Sequence, residues 1–326
     1  MSAPYDEAYD ERGEPRPHYA DVLAALGDPA ATAAEVKRRL RARGVTFAAA
    51  PGGMFALDPV PRVVTEAEWS ELQAGIGQRL LALEAFVADV YGEGRVFDAG
   101  VLDRADVEAS AHYEPAMRGA SPARWISFAG LDVARCEDGR FRVIEDNARM
   151  AAGLAYTVAA RETLIDLIEA EPPQRDLSLS YGELALAIQD AAPAGVTEPR
   201  VVILSEGPSA AGWWEHERLA RELCAPLVTL DDLEHRDGRL VAWIDGRVRA
   251  VDVVYMRAEE DRFTDPDGSP TRIGEALLEP SAAGRVAVVN APGVGVADDK
   301  CTATSTSSCS STSTRNRCCR RCRRAR

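Results

Sequence analysis

Apolar residues recur at helical spacing through the first third of the chain. Tyr19, Val22 and Leu23, then Val36, Leu40 and Val45, predict two short helices broken at Gly27-Asp28-Pro29. After a Pro-Gly-Gly turn at 51–53, Thr65 reads as a helix N-cap and Glu68 as the other half of a capping box. The long helix that follows aligns Trp69, Leu72, Ile76, Leu80, Leu83, Phe86 and Val90 on one face, which is most simply a core face. From Trp125 the period changes to two. An apolar strand over 125–134, an Asp138-Gly139 turn and a second strand over 141–147 predict a β-hairpin, and a helix through Thr157 to Ile168 follows.

Residues 172–199 are rich in Pro and Asp at both ends, with a helical patch near Leu184 and Ile188. Beyond them comes a strand-helix-strand rhythm: apolar runs at 201–204, 226–230, 240–244, 251–255 and 286–290, with a helix through Glu215 to Leu223. Such alternation predicts a mixed α/β lobe with a largely buried sheet. The expected organisation is a flexible, acidic, Pro-containing start (1–17), a helical region carrying the hairpin (18–175), an α/β lobe (200–300) and a distinct tail (301–326).

Composition sharpens this division. The chain has 326 residues, 46% of them hydrophobic, and a net charge of −14, which argues against a disordered chain and against general affinity for nucleic acid or an anionic membrane surface. No run of about 18 apolar residues occurs, and the amino terminus lacks a basic segment followed by an apolar one, so the expected address is the cytoplasm. The last 26 positions differ in kind. They hold five of the seven cysteines and seven of the 38 basic residues, with no acidic residue and no Val, Ile, Leu or aromatic residue. A segment of that composition cannot bury a core and is expected to be disordered. Its Cys318, Cys319 and Cys322 lack a His to complete a zinc set, and the surrounding Arg residues oppose a cation.

The hairpin concentrates the candidate chemistry. With a two-residue loop at Asp138-Gly139, Asp132 faces Glu145 directly, and side-chain alternation puts Asn147 on the same face while Asp146 points away. Two facing carboxylates repel unless a proton or a cation lies between them. Asp132, Glu145 and Asn147 therefore form a set of hard oxygen donors suited to Mg²⁺, with Arg149 close by. The plain alternative is a solvent-facing acidic patch. Other features are weaker alone: the Asn290-Ala-Pro-Gly-Val-Gly loop running into Asp298-Asp299-Lys300, Arg257 at a strand end ahead of Glu259, Glu260 and Asp261, and Trp213-Trp214-Glu215-His216, where a structural role suffices. Cys136 and Cys224 are isolated.

Several segments in one order resemble the circularly permuted type 2 ATP-grasp family. They are RPHY at 16–19, VPRVVTEAEW at 60–69, FVADVYG at 86–92, FAGLDVAR at 128–135, VIEDNAR at 143–149, VDVVYMR at 251–257 and VNAPGVGVADDK at 289–300. The resemblance implies an α/β (α+β) ATP-grasp fold with mixed sheets. It also implies an enzyme that uses ATP and Mg²⁺ to activate a carboxylate as an acyl phosphate for attack by an amine, with small-molecule or peptide substrates. It assigns the metal to Asp132, Glu145 and Asn147, transferring-group contacts to Arg149 and Arg257, and nucleotide contacts to Asn290, Asp299 and Lys300. Two departures stand out. Met150-Ala151-Ala152 replaces the family's Pro-Ser step before Gly153, and the ATP-binding Lys strand and Gly-rich phosphate loop expected beyond Lys300 are missing, so the fold and its nucleotide site are expected to be incomplete.

Restoring one base after the Lys300 codon lets the tail encode an amphipathic helix and turn like the family's continuation; in that frame the Cys318-Cys319 step must encode Leu. A frameshift at or just after Lys300 is the resulting expectation, and a catalytically incomplete chain its consequence. Two other readings remain open: a non-catalytic scaffold whose basic tail meets an acidic surface, and a hydrolase or transferase using the same carboxylates without ATP. Neither the carboxylate, the nucleophile nor the oligomeric state follows from the sequence.

Overall fold

In a computed structural model, residues 5–168, 176–258 and 262–299 are described. The elements in chain order are α1 (Pro17–Leu26), α2 (Pro29–Ala42), α3 (Glu66–Tyr91), α4 (Arg95–Asp98), α5 (Arg104–Glu108), β1 (Gly130–Arg135), β2 (Phe141–Asn147), α6 (Leu154–Ile165), α7 (Ser180–Asp190), β3 (Val201–Leu204), α8 (Trp213–Glu222), β4 (Leu227–Val228), β5 (Leu233–Arg236), β6 (Arg239–Ile244), β7 (Arg247–Ala250), β8 (Val253–Met256), α9 (Arg272–Ala282) and β9 (Ala287–Val289). This is a mixed α/β fold, as the sequence led one to expect. No helix among the described residues is long and apolar enough to cross a membrane.

Local chemistry starts the helices where the pattern placed them. Asp28 accepts from the Ala30 amide ahead of α2. Thr65 and Glu68 form a reciprocal box at the start of α3, with the Glu68 amide on Thr65 Oγ1 at 3.3 Å and the Thr65 amide on Glu68 Oε2 at 3.0 Å. The face of α3 is less covered than its spacing suggests: Val87, Val90 and Tyr91 are buried, whereas Trp69, Leu72, Ile76 and Leu80 are only half-buried. The amino-terminal segment is tied to the body. Glu7 pairs with Arg62 at 2.7 Å and with Arg135 at 3.4 Å, and Tyr9 bridges to Pro15.

β1 and β2 make a hairpin that α3 carries through two partly buried ion pairs. Asp146 receives a bidentate contact from Arg79, both bonds at 2.6 Å, and Arg135 meets Glu68 at 2.6 Å. The expected strand from Trp125 begins only at Gly130. Residues 125–128 are instead a loop that bends at Trp125 and Ser127, and their amides are taken by side chains: Glu84 accepts from Trp125 and Ile126, and Asn290 from Ser127 and Phe128.

The second half is built on a parallel sheet of order β4-β3-β8-β9. Both faces are covered, so alternate residues enter different cores. Val202, Leu204, Val254, Met256 and Val288 pack with Ile273 and Leu277 of α9, while Ile203, Val253, Tyr255 and Val289 pack with Leu184 and Ile188 of α7 and Leu219 of α8. The run at 240–244 does not join this sheet. It is the centre of a separate antiparallel meander, β5-β6-β7, whose Leu240 and Ala242 close the α9-side core.

Candidate functional site

The hairpin turn is not the two-residue loop expected. The Gly139 amide bonds to Cys136 O and the Cys136 amide to Arg140 O, which makes a three-residue loop with Gly139 in the left-handed region at φ +75°. Val133 therefore faces Val143. A second irregularity follows at once: Ile144 is an extra residue opposite the Asp132–Val133 step, a β-bulge that leaves its side chain 68% exposed. The two one-residue offsets cancel, and Asp132 faces Glu145 as the simple register had placed it. Asn147 lies on that face, with Nδ2 donating to Asp132 Oδ1 at 3.3 Å, while Asp146 turns to Arg79.

Two carboxylates and a carboxamide suit a hard cation. No group of three or more His, Cys, Asp or Glu side chains placed to hold a metal occurs among the described residues. Carboxylate and carboxamide oxygens are hard donors, the kind that Mg²⁺ takes, whereas Zn²⁺ sites draw mainly on Cys and His.

Arg149, two residues on, is oriented by Asp298. Its Nε donates to Asp298 Oδ1 at 2.9 Å and to Oδ2 at 3.0 Å, and the same carboxylate accepts from the amides of Ala148 and Arg149 at 3.2 Å each. Burial pushes the Asp298 carboxyl above its usual range, and Arg149 pulls it back only in part. The strand-end loop that brings Asp298 here passes closely over the hairpin: a Cβ at Gly295 would fall 2.5 Å from His112 Cβ and 2.6 Å from Arg149 Cδ, so only glycine fits. Arg149, Asn290, His112 and Glu114 share a cleft of about 20 Å³, room for about one water molecule and far too little for a nucleotide.

The remaining sequence-predicted residues occupy different settings. Asn290 spends its whole amide on the backbone, Nδ2 on the carbonyls of Phe128 and Ala148 at 2.5 Å each and Oδ1 on the amides of Ser127 and Phe128. It clamps the hairpin to the end of β9. Arg257 is buried, with Nη1 on Ala151 O at 2.5 Å and Nη2 on Glu215 Oε2 at 3.0 Å. Glu215 in turn accepts from the amides of Gly153 and Ala155 at the start of α6. Asp299 accepts from Ser110 Oγ at 2.6 Å. Lys300, and with it Glu259, Glu260, Asp261 and the 301–326 tail, lies outside the described residues. The partners Glu215 and Asp298 are what sequence reasoning missed as organisers of the site.

His216, beside Glu215, is buried and bonded through Nδ1 to Ser205 Oγ at 2.8 Å. Burial first, and the Arg257 charge second, push its pKa down from 6.5 to about 4. Between those values the unfolded chain takes a proton that the folded one refuses, so stability falls as pH drops through that window, by about 3 kcal/mol in full. Asp298 and Glu114, both raised by burial, act in the opposite sense. Urea midpoints of wild type and His216→Asn measured from pH 7 to pH 4 isolate the histidine: the wild type is expected to lose more stability on acidification than the variant does.

Comparison with known proteins gives the family. The family pattern "Circularly permuted ATP-grasp type 2" matches residues 61–312, reaching twelve residues into the Ser/Thr/Arg/Cys segment. The chain belongs to the circularly permuted type 2 ATP-grasp family. It is 38% identical over 318 residues to a protein of Frankia alni named "Putative glutamate--cysteine ligase 2-3", covering 91% of this chain and 36% of that protein. It is 33% identical to uncharacterized proteins of Mycobacterium leprae and of Synechocystis, covering 93% and 91% of this chain and 56% and 65% of theirs. The chain thus spans between about a third and two thirds of the length of these relatives.

Proposed function

We propose that this chain is the metal-binding part of an ATP- and Mg²⁺-dependent ligase that joins a carboxylate to an amine through an acyl phosphate. The observation that carries the reading is the opposition of Asp132 and Glu145, with Asn147, on one face of a bulged hairpin. A bound Mg²⁺ would neutralise charge on the phosphate oxygens. Arg149, already oriented by Asp298, is the cation placed to steady the transferring group. Arg257 and Asn290 act as positioning residues: one fixes the 151–155 segment through Glu215, the other joins the hairpin to β9. Asp299 and Lys300 would open the nucleotide site.

The name of the Frankia relative supports the reaction class and no particular substrate, because the match covers only 36% of that protein. The cleft beside Arg149 has room for about one water molecule and none for a nucleotide, so the ATP clamp is taken to be incomplete among the described residues. The expected result of calorimetric titration with Mg-ATP is accordingly binding weaker than micromolar; micromolar affinity would remove the incompleteness. A chain extended to the relatives' length is expected to release one phosphate per amide bond formed when offered amino acids and short peptides. ATP turnover uncoupled from amide formation across that panel would sink the ligase reading.

A further inference from the structure

The parallel sheet contains a reversal. β3 leads through α8 to β4 on one side, while β8 leads through α9 to β9 on the other, so the loops leaving β3 and β8 part in opposite directions. In open α/β sheets the crevice beyond the carboxyl ends of such a strand pair is where ligands bind. Here that crevice measures about 510 Å³, within the range of small-molecule sites, and no residue assigned to the hairpin site lines it.

Its wall chemistry is specific. Ser205 and Glu206 follow β3, Ala258 follows β8, Asp231 follows β4, and Asp265 and Arg272 come from the loop and first turn of α9. Among the described residues Arg272 is the one cation in the lining, and it meets Asp231 at 2.6 Å where both side chains are largely exposed. The Asp265 carboxylate has no hydrogen bond or ion pair among the described residues, although the residue is half-buried. Carboxylates thus outnumber cations, yet a guanidinium at the positive end of a helix stands in the same crevice. A simple amine would gain nothing from Arg272, and a simple acid would meet Asp265.

We infer that this crevice binds a zwitterionic α-amino acid, its ammonium on Asp265 and its carboxylate on Arg272 and the start of α9. The crevice also adjoins the hairpin site through the chain: Ala258 follows Arg257, whose guanidinium holds the carbonyl of Ala151, two residues beyond Arg149. That an amino acid bound here serves as the amine nucleophile rests on the ligase reading; the binding itself does not.

The test is calorimetric titration of the full chain with single L-amino acids in the absence of ATP and Mg²⁺. At least one is expected to saturate with a Kd at or below about 1 mM. Its N-acetyl and carboxamide derivatives, and putrescine, are expected to bind at least about tenfold more weakly, because each lacks one of the two charges. Asp265→Asn and Arg272→Gln should each weaken the amino acid at least about tenfold. Arg272 loses only an exposed ion pair in that change, so the fold is expected to survive, and melting curves check this. Arg247→Gln, on the exposed meander, should change nothing. The inference is overturned if no L-amino acid saturates by about 10 mM, if putrescine binds as tightly as the amino acid, or if both variants keep wild-type affinity. Because no nucleotide or metal is present, a negative result leaves the ligase reading standing, and weak Mg-ATP binding leaves this one standing.

Discussion

Replacing Glu215 with Ala is expected to cost about 3–5 kcal/mol of stability, the range for stripping one partner from a buried ion pair. The carboxylate is 1% exposed and carries three donors, the amides of Gly153 and Ala155 and the Arg257 guanidinium. Its removal leaves the start of α6 uncapped and strands a buried cation whose Nε already lacks a partner. Gln at 215 keeps the volume and one good acceptor and should lose about half as much. Arg257→Met alone leaves the carboxylate buried beside its two amides, so Glu215→Gln with Arg257→Met is expected to cost less than the two changes summed. Urea unfolding followed by circular dichroism reads all four chains. A loss under about 1 kcal/mol for Glu215→Ala would show that the pair is not what joins the lobes.

The Glu215–Arg257 pair matters for chemistry because of where it pulls. Arg257 ends β8 and Glu215 lies in α8, both on the α/β half, while the groups they hold, Ala151 O and the Gly153 and Ala155 amides, directly follow Asn147 and Arg149. Asn290 makes a parallel connection from β9 to Phe128 and Ala148, and Asp298 makes a third to Ala148 and Arg149. The segment 148–155 is thus held from strand and loop ends of the other half. A hairpin alone would fray at its open end; these clamps supply the rigidity that a site built on it requires.

The strand-and-helix pattern exposed the parallel sheet well, because each strand is a short, continuous apolar run covered on both faces. The meander is equally legible in the sequence. Arg236-Asp237-Gly238-Arg239 and Ile244-Asp245-Gly246-Arg247 are two-residue hairpins, with positive φ at both Asp237 and Gly238 and at both Asp245 and Gly246, as type I′ turns demand. The same dipeptide at 138–139 forms the longer loop instead. There other contacts intervene: within the hairpin Arg135 bonds to the Gly139 carbonyl and Arg142 to the Asp138 carboxylate, and from far along the chain Tyr5 packs against Gly139. The dipeptide is compatible with both turns, and the flanking arginines and Tyr5 favour the longer one. For the site, the Asp132–Glu145 pair matches the simple register only because the longer turn and the Ile144 bulge shift the pairing by one residue each in opposite senses. Glu215 and Asp298 were not readable, since their partners lie 42 and 149 positions away and no period or motif links them.

Glu145→Gln should change sign with the metal, which separates a cation site from a solvent-facing acidic patch. With chelator present, Asp132 and Glu145 face each other as like charges, so neutralising one is expected to leave stability unchanged or raise it by up to about 1 kcal/mol. With Mg²⁺ in excess, the wild type is expected to gain stability in proportion to the logarithm of the ion concentration over its Kd, and the variant to gain far less. Wild-type melting temperature should therefore climb from chelator to Mg²⁺, and the order of the two proteins should invert. Mn²⁺ binding followed by electron paramagnetic resonance gives the affinity directly: Glu145→Gln and Asp132→Asn should each weaken it at least about tenfold, and Asn147→Ala less, since a neutral donor gives up less electrostatic energy. Arg79→Ala is the control on the opposite face. It loosens the hairpin through Asp146 and should lower stability equally with and without the ion. Parallel shifts for Glu145→Gln in both conditions would mean that the facing carboxylates hold no cation, and the ligase reading would lose the observation it stands on.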